Sequence, residues 1–173
     1  ESTLSQVVSA KPIFDTVSPE MVSLSPAPGT RLSGKVNLQA VATDDSKVAT
    51  ITFFYAPQGS EDWQVIKEET PYYDGTHYRA SFQWDTAGLN GNYSIKAVAV
   101  DRGGNTDSLT TTILLDNTAP PVPEGLTAVS KSGIINLSWQ AVVSDDITQY
   151  KIYRRVDSGQ WIFIKTVPAN ILS

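Results

Sequence analysis

Apolar residues recur at every second position in a series of short runs, each bounded by Gly, Pro, Asn or Asp, and no stretch carries a sustained helical period. In an extended strand that alternation sends one set of side chains to one face. Lys35 to Thr43 thereby aligns Val36, Leu38, Ala40 and Ala42, and Ala49 to Tyr55 aligns Ala49, Ile51, Phe53 and Tyr55. Tyr78 to Trp84 aligns Tyr78, Ala80, Phe82 and Trp84. Tyr93 to Ala99 aligns Tyr93, Ile95, Ala97 and Ala99, with the turn Gly88 to Asn92 between these two runs. Met21 to Leu24, Trp63 to Lys67 and Leu109 to Leu115 bring the predicted strands between Ser18 and Asn117 to seven. Half-buried strands of this kind are stable only as two sheets packed face to face, so the pattern predicts an all-β sandwich.

Past Asn117 the alternation restarts, with Leu137 and Trp139 on one strand and Tyr150 to Arg154 on the next. The two stretches also repeat each other. Asp15 and Pro19 recur as Asp116 and Pro120, and Asp44-Asp45 recurs as Asp145-Asp146, all at an offset of 101 residues, which also sets Val36 and Leu38 on Leu137 and Trp139. Trp63 to Lys67 recurs as Trp161 to Lys165 at an offset of 98, a turn shorter by three residues. The repeat divides the chain into residues 1–17, the last strand and linker of a preceding module; 18–117, one whole sandwich; and 118–173, the front part of another. On this reading the chain starts and stops mid-module; either the rest of each flanking module lies beyond this stretch, or Ser2 to Phe14 donates a last strand to a truncated module in a neighbouring copy or a longer chain.

The run Gly91-Asn-Tyr-Ser-Ile-Lys-Ala-Val-Ala-Val-Asp-Arg-Gly-Gly-Asn105 resembles the penultimate strand and following turn of bacterial extracellular immunoglobulin-like modules. That resemblance implies a tyrosine corner at Tyr93, with its hydroxyl bonded to backbone. Leu137-Ser-Trp139 together with Asp145 to Arg154 resembles the first strands of a fibronectin type III module, in which the tryptophan fills the core. The resemblances imply tandem β-sandwiches, one complete and one partial, in an extracellular or cell-surface protein.

Composition narrows the partners. With 18 acidic against 13 basic residues the net charge is -5, which opposes binding to nucleic acid and to anionic lipid. No run reaches the roughly 20 apolar residues of a membrane helix. Cysteine is absent, which removes disulfides, thiolate metal sites and thiol nucleophiles. His77 is the one histidine and has no recognisable nucleophile motif near it, so no catalytic residues or organic cofactor are expected.

In the immunoglobulin-like fold the start of the first strand, the loop after the second and the turn before the last share one pole. That pole would gather Asp15, Asp44, Asp45, Asp101 and Asn105, a set of hard oxygen donors suited to Ca²⁺ at the junction between modules. Asp116, Asp145 and Asp146 would repeat the arrangement at the second junction. The same residue types also serve as ordinary turn formers. A second candidate is an aromatic cluster of Tyr72, Tyr73 and His77 around a turn, of the kind that meets a glycan, although Tyr78 and Trp84 beside it fit the core pattern. Two functions remain: a non-catalytic spacer, stalk or adhesin body stiffened by Ca²⁺ at its junctions, or an accessory carbohydrate-binding module of a secreted polysaccharide-degrading enzyme.

Overall fold

A computed structural model describes residues 15–172. The proposed donor strand Ser2 to Phe14 lies outside the described residues. Every regular element among those described is a strand, and they fall into two compact units that part between Asn117 and Thr118.

The first unit has nine strands: β1 (Glu20–Ser25), β2 (Thr30–Leu32), β3 (Lys35–Thr43), β4 (Val48–Pro57), β5 (Gln64–Glu69), β6 (Tyr72–Tyr73), β7 (Tyr78–Asp85), β8 (Gly91–Asp101) and β9 (Thr106–Leu115). One sheet runs β1-β3-β7-β6 and the other β2-β9-β8-β4-β5. Their inner faces supply one core, in which Leu38, Ala40, Ile51, Phe53, Ile95, Ala97 and Ala99 are wholly buried, with Val36, Tyr78, Ala80 and Trp84 close behind. Phe53 from one sheet meets Phe82 from the other edge to face at 5.1 Å.

Two of the nine strands go beyond the seven expected from alternation. β2 is three residues long and lies parallel on β9, so the first strand of the sandwich changes sheets between Ser25 and Thr30. Pro26 and Pro28 cannot donate to a ladder, and Gly29 takes a φ of +75° that lets the chain cross over. β6 pairs only Tyr72 and Tyr73 with β7, too short a run for a period to show.

The inward set of β4 also differs from its expected register. Val48, not Ala49, is the buried residue at the start, because a bulge between Val48 and Thr50 inserts one residue against β8. Beyond the bulge Ile51 and Phe53 point inward as the alternation requires. Tyr93 departs from the tyrosine-corner expectation. It is half-buried with its ring 6.0 Å from that of Tyr55, and among the described residues its hydroxyl bonds no backbone group.

The second unit is built from two antiparallel hairpins, β10 (Thr127–Lys131) with β11 (Ile134–Ser138) and β12 (Gln149–Arg154) with β13 (Ile162–Pro168). Trp139 is 9% exposed and packs edge to face on Tyr150 at 5.4 Å. The Tyr150 hydroxyl in turn accepts the Val142 N–H at 3.1 Å.

Candidate functional site: the acidic pole of the first unit

Three elements converge where the chain enters the first sandwich. The loop between β3 and β4 carries Asp44-Asp45-Ser46, the turn between β8 and β9 carries Asp101 to Asn105, and Asp15 leads into β1. Asp44 forms an Asx turn, its Oδ1 accepting the Ser46 N–H at 2.9 Å, which aims the loop outward at this pole. Asp15 likewise accepts the Val17 N–H at 3.1 Å.

The carboxylates of Asp15, Asp44 and Asp45 come together, each offering an oxygen within 4.8 Å of the others. Ser46 links two of them, its hydroxyl contacting both Asp15 Oδ2 and Asp44 Oδ1. Asp44 Oδ2 is buried and has no hydrogen-bond partner among the described residues. A buried carboxylate oxygen without a donor is costly, and a cation satisfies it with the donor chemistry this set offers. The residues fit a hard divalent ion, with the three carboxylates as the ligands they would supply.

Asp101 and Asn105 take a different role from the one expected. Asp101 is 3% exposed, and its two oxygens accept the Asn105 backbone N–H at 2.8 Å and the Asn105 side-chain amide at 2.7 Å. Burial pushes the Asp101 pKa up. Hydrogen bonds from the Asn105 side chain, the Asn105 backbone and the Gly104 and Gly103 amides outweigh burial and hold it below the ordinary carboxylate value. The Asn105 amide nitrogen also reaches the carbonyls of Asp15 at 3.2 Å and Val17 at 3.3 Å. Gly103 lies so close to the linker that a Cβ there would stand 2.7 Å from the Asp15 carbonyl oxygen. Asp101 is therefore the anchor of a latch that holds the incoming linker against the β8–β9 turn.

The lowered Asp101 pKa sets a pH dependence. Because the folded value lies below the unfolded one, its contribution to stability is complete above about pH 4 to 5 and is lost as pH falls through the folded value. Urea midpoints for the first unit are expected to fall on acidification below about pH 4, and Asp101→Asn to give a less stable protein with a flatter acid limb. An unchanged acid limb in that variant would exclude Asp101 as its source.

At the other end of this unit Asp116 pairs with Arg31 of β2, and its N–H donates to the Leu32 carbonyl at 2.9 Å. Asp145 and Asp146 lie in the loop between β11 and β12 of the second unit. Asp116, the residue after β9, is thus engaged within its own unit.

The aromatic candidates sit on the edge strand β6 and the turn after it. Tyr72 and Tyr73 are 61% and 57% exposed. Tyr73 stacks on Tyr78 at 4.9 Å, and its hydroxyl donates to the Gly75 carbonyl. Asp74 closes the turn by accepting the N–H groups of Thr76 and His77, and pairs with Arg79. The Arg79 guanidinium, followed by those amides, holds the Asp74 carboxyl well below the usual range. That pair is solvent-exposed and screened, so it adds little to stability.

Three features lay outside the sequence reading. Ser46 was readable as the third residue of an Asp-Asp-Ser turn. Asn117, which the repeat marks only as a module boundary, caps the far pole by bonding Gly34, Thr86 and Leu89. On the outer face of the second sheet the Lys96 ammonium lies 4.1 Å from the Trp63 ring centroid and 5.4 Å from that of Phe54, an arrangement only the paired strands could create.

The two packed sheets and their order define the first unit as an immunoglobulin-like β-sandwich. Residues 19–97 match the model of a family described as bacterial Ig domain. Comparison with curated proteins found no match. Among solved structures the chain is similar to an LPMO from Kitasatospora papulosa, with 13% identity, a TM-score of 0.42, and 56% of each chain covered. The chain spans just over half the length of that structure.

Proposed function

We propose that this chain is a non-catalytic spacer or adhesin-body segment of a bacterial extracellular protein, in which an immunoglobulin-like module and a fibronectin type III-like module act in series to set reach and orientation. The observation that carries this reading is the anchoring of the linker. Asp15 and Val17 are tied by side-chain and backbone bonds to the β8–β9 turn, and Asp15 is tied again to the β3–β4 loop through Ser46. A linker held at two loops transmits orientation, whereas a free one only tethers. The bacterial Ig match over residues 19–97 and the acidic, cysteine-free composition are consistent with an extracellular module.

Ca²⁺ bound by Asp15, Asp44 and Asp45 would complete the joint by satisfying Asp44 Oδ2 and cancelling the repulsion among three carboxylates. Millimolar Ca²⁺ is expected to stabilise the first unit by roughly 1–3 kcal/mol, from the weak affinities typical of extracellular modules. Melting curves with excess Ca²⁺ and with EDTA measure this, and Asp45→Asn should abolish the difference. Identical curves for the unaltered chain in both conditions would rule the ion out.

The exposure of Tyr72 and Tyr73 favours a second reading, an accessory carbohydrate-binding module whose rings stack on a glycan. Pull-down on insoluble polysaccharides separates the two. A spacer stays in the supernatant, while a binding module is retained and is released by Tyr72→Ala.

A further inference from the structure

In the sheet β1-β3-β7-β6 of the first unit, the last strand is too short to cover its neighbour. β7 pairs with β3 along its whole length, through eight consecutive residue pairs without a bulge, but β6 pairs only with Tyr78 and Arg79. From Ala80 to Asp85 no described strand pairs with β7 on that side. Its backbone there offers a regular row of donors and acceptors, the template on which another strand adds.

The other edges of this unit carry devices that discourage such pairing. β5 has the charged run Lys67-Glu68-Glu69, β1 is broken by a bulge between Met21 and Ser23, and β2 has only three residues. The open stretch of β7 has none of these: Ser81, Phe82, Gln83 and Trp84 are uncharged, proline is absent, and the ladder with β3 is unbroken. Ser81, Gln83 and Asp85 are exposed on the outer face, and Phe82, which meets Phe53 across the core, is only half-buried on the inner one.

The stretch is also complementary to itself. Residues directly opposite in antiparallel strands share a face, so a two-fold axis at Gln83 sets Ser81 opposite Asp85, Phe82 opposite Trp84 and Gln83 opposite its own copy. The inward side then gains an aromatic pair across the joint. On the outward side Asp85 lies diagonally from Arg79 of the other copy, within reach of that long side chain, so unlike charges meet at both ends of the contact. Arg79 pairs through its Nε with Asp74, and a guanidinium has further N–H donors to share. Moving the axis to Phe82 would set Asp85 directly beside Arg79, where Tyr72 already pairs.

We propose that Ser81 to Asp85 of β7 is a self-association edge, on which a second copy of this chain docks its own β7 antiparallel and joins the two sheets into one. A two-fold contact closes at the dimer. Antiparallel pairing runs the two modules in opposite directions, the way chains reaching from facing surfaces meet. The inference goes beyond the spacer reading and does not depend on it.

A stretch this short makes a weak contact, so the dimer is expected with a Kd above about 1 μM. Sedimentation velocity on the full 173-residue chain, up to about 1 mM, tests it. The unaltered chain should pass from monomer to dimer and no further. Gln83 is exposed, so substituting it leaves the core intact, and on the axis it meets only its own copy. Gln83→Lys and Gln83→Glu should each dimerise roughly fivefold more weakly through like charges, and an equimolar mixture of the two should recover the loss. A monomer throughout this range would overturn the proposal. So would growth beyond the dimer, or a dimer that both substitutions leave unchanged or that mixing fails to restore, since its contact would then lie elsewhere.

Discussion

Phe53→Ala is expected to destabilise the first unit by about 3–5 kcal/mol, whereas the same change at its neighbour, Phe54→Ala, should cost about 1 kcal/mol. Phe53 is wholly buried between the sheets and packs edge to face on Phe82, so truncation leaves a cavity that rigid strands on both sides cannot close. Phe54 points to the outer face, where its ring lies 5.4 Å from the Lys96 ammonium and solvent fills any gap. For a domain near 100 residues the first loss corresponds to a fall in melting temperature of more than about 10 °C. A marginally stable module could lose most of its margin in this one step. Equal effects from the two substitutions, by calorimetry or urea titration, would contradict the register of β4.

Asn117→Ala should cost about 2–4 kcal/mol although the residue lies in a connecting segment. Its Nδ2 donates to the carbonyls of Leu89 at 2.7 Å and Thr86 at 2.9 Å, and its Oδ1 accepts the Gly34 N–H at 2.7 Å. Each bond contributes only about 1 kcal/mol, but removal takes the partner from the Gly34 N–H and the Leu89 carbonyl at a partly buried pole and leaves the Thr86 carbonyl with the Leu89 N–H alone. Asn117→Asp discriminates between loss of shape and loss of donors, because it preserves the acceptor for Gly34 and removes both N–H donors. It should be nearly as damaging. The urea midpoint should fall with an unchanged slope, as expected when the folded state alone is affected. A midpoint within about 0.5 kcal/mol of the unaltered protein would show that water replaces these bonds at no cost.

These two residues differ in how far sequence foretells them. Phe53 was legible as a core residue because alternation is a local property and needs no knowledge of the partner strand. Asn117 was not, because its three partners come from two loops that are adjacent only in the folded sandwich, 28 to 83 residues away along the chain. The acidic pole divides in the same way. Asp44 and Asp45 could be placed in a loop, and the shared pole of the fold brought Asp15 near them. Asp101, given the same role in advance, is committed to the Asn105 latch because buried backbone amides compete for its oxygens.

By itself the sequence determined the all-β class, the inward faces of β3, β7 and β8 and the repeat that relates the two units. A side-chain period of two and turn residues such as Gly88 and Asn90 act over a few positions and carry that information directly. Only the tertiary structure decided the bulge at Ala49, the crossing of the first strand onto β9 and the convergence of Asp15, Asp44 and Asp45. Those depend on hydrogen-bond partners and charges brought together from distant parts of the chain, and no local pattern encodes which distant group will arrive.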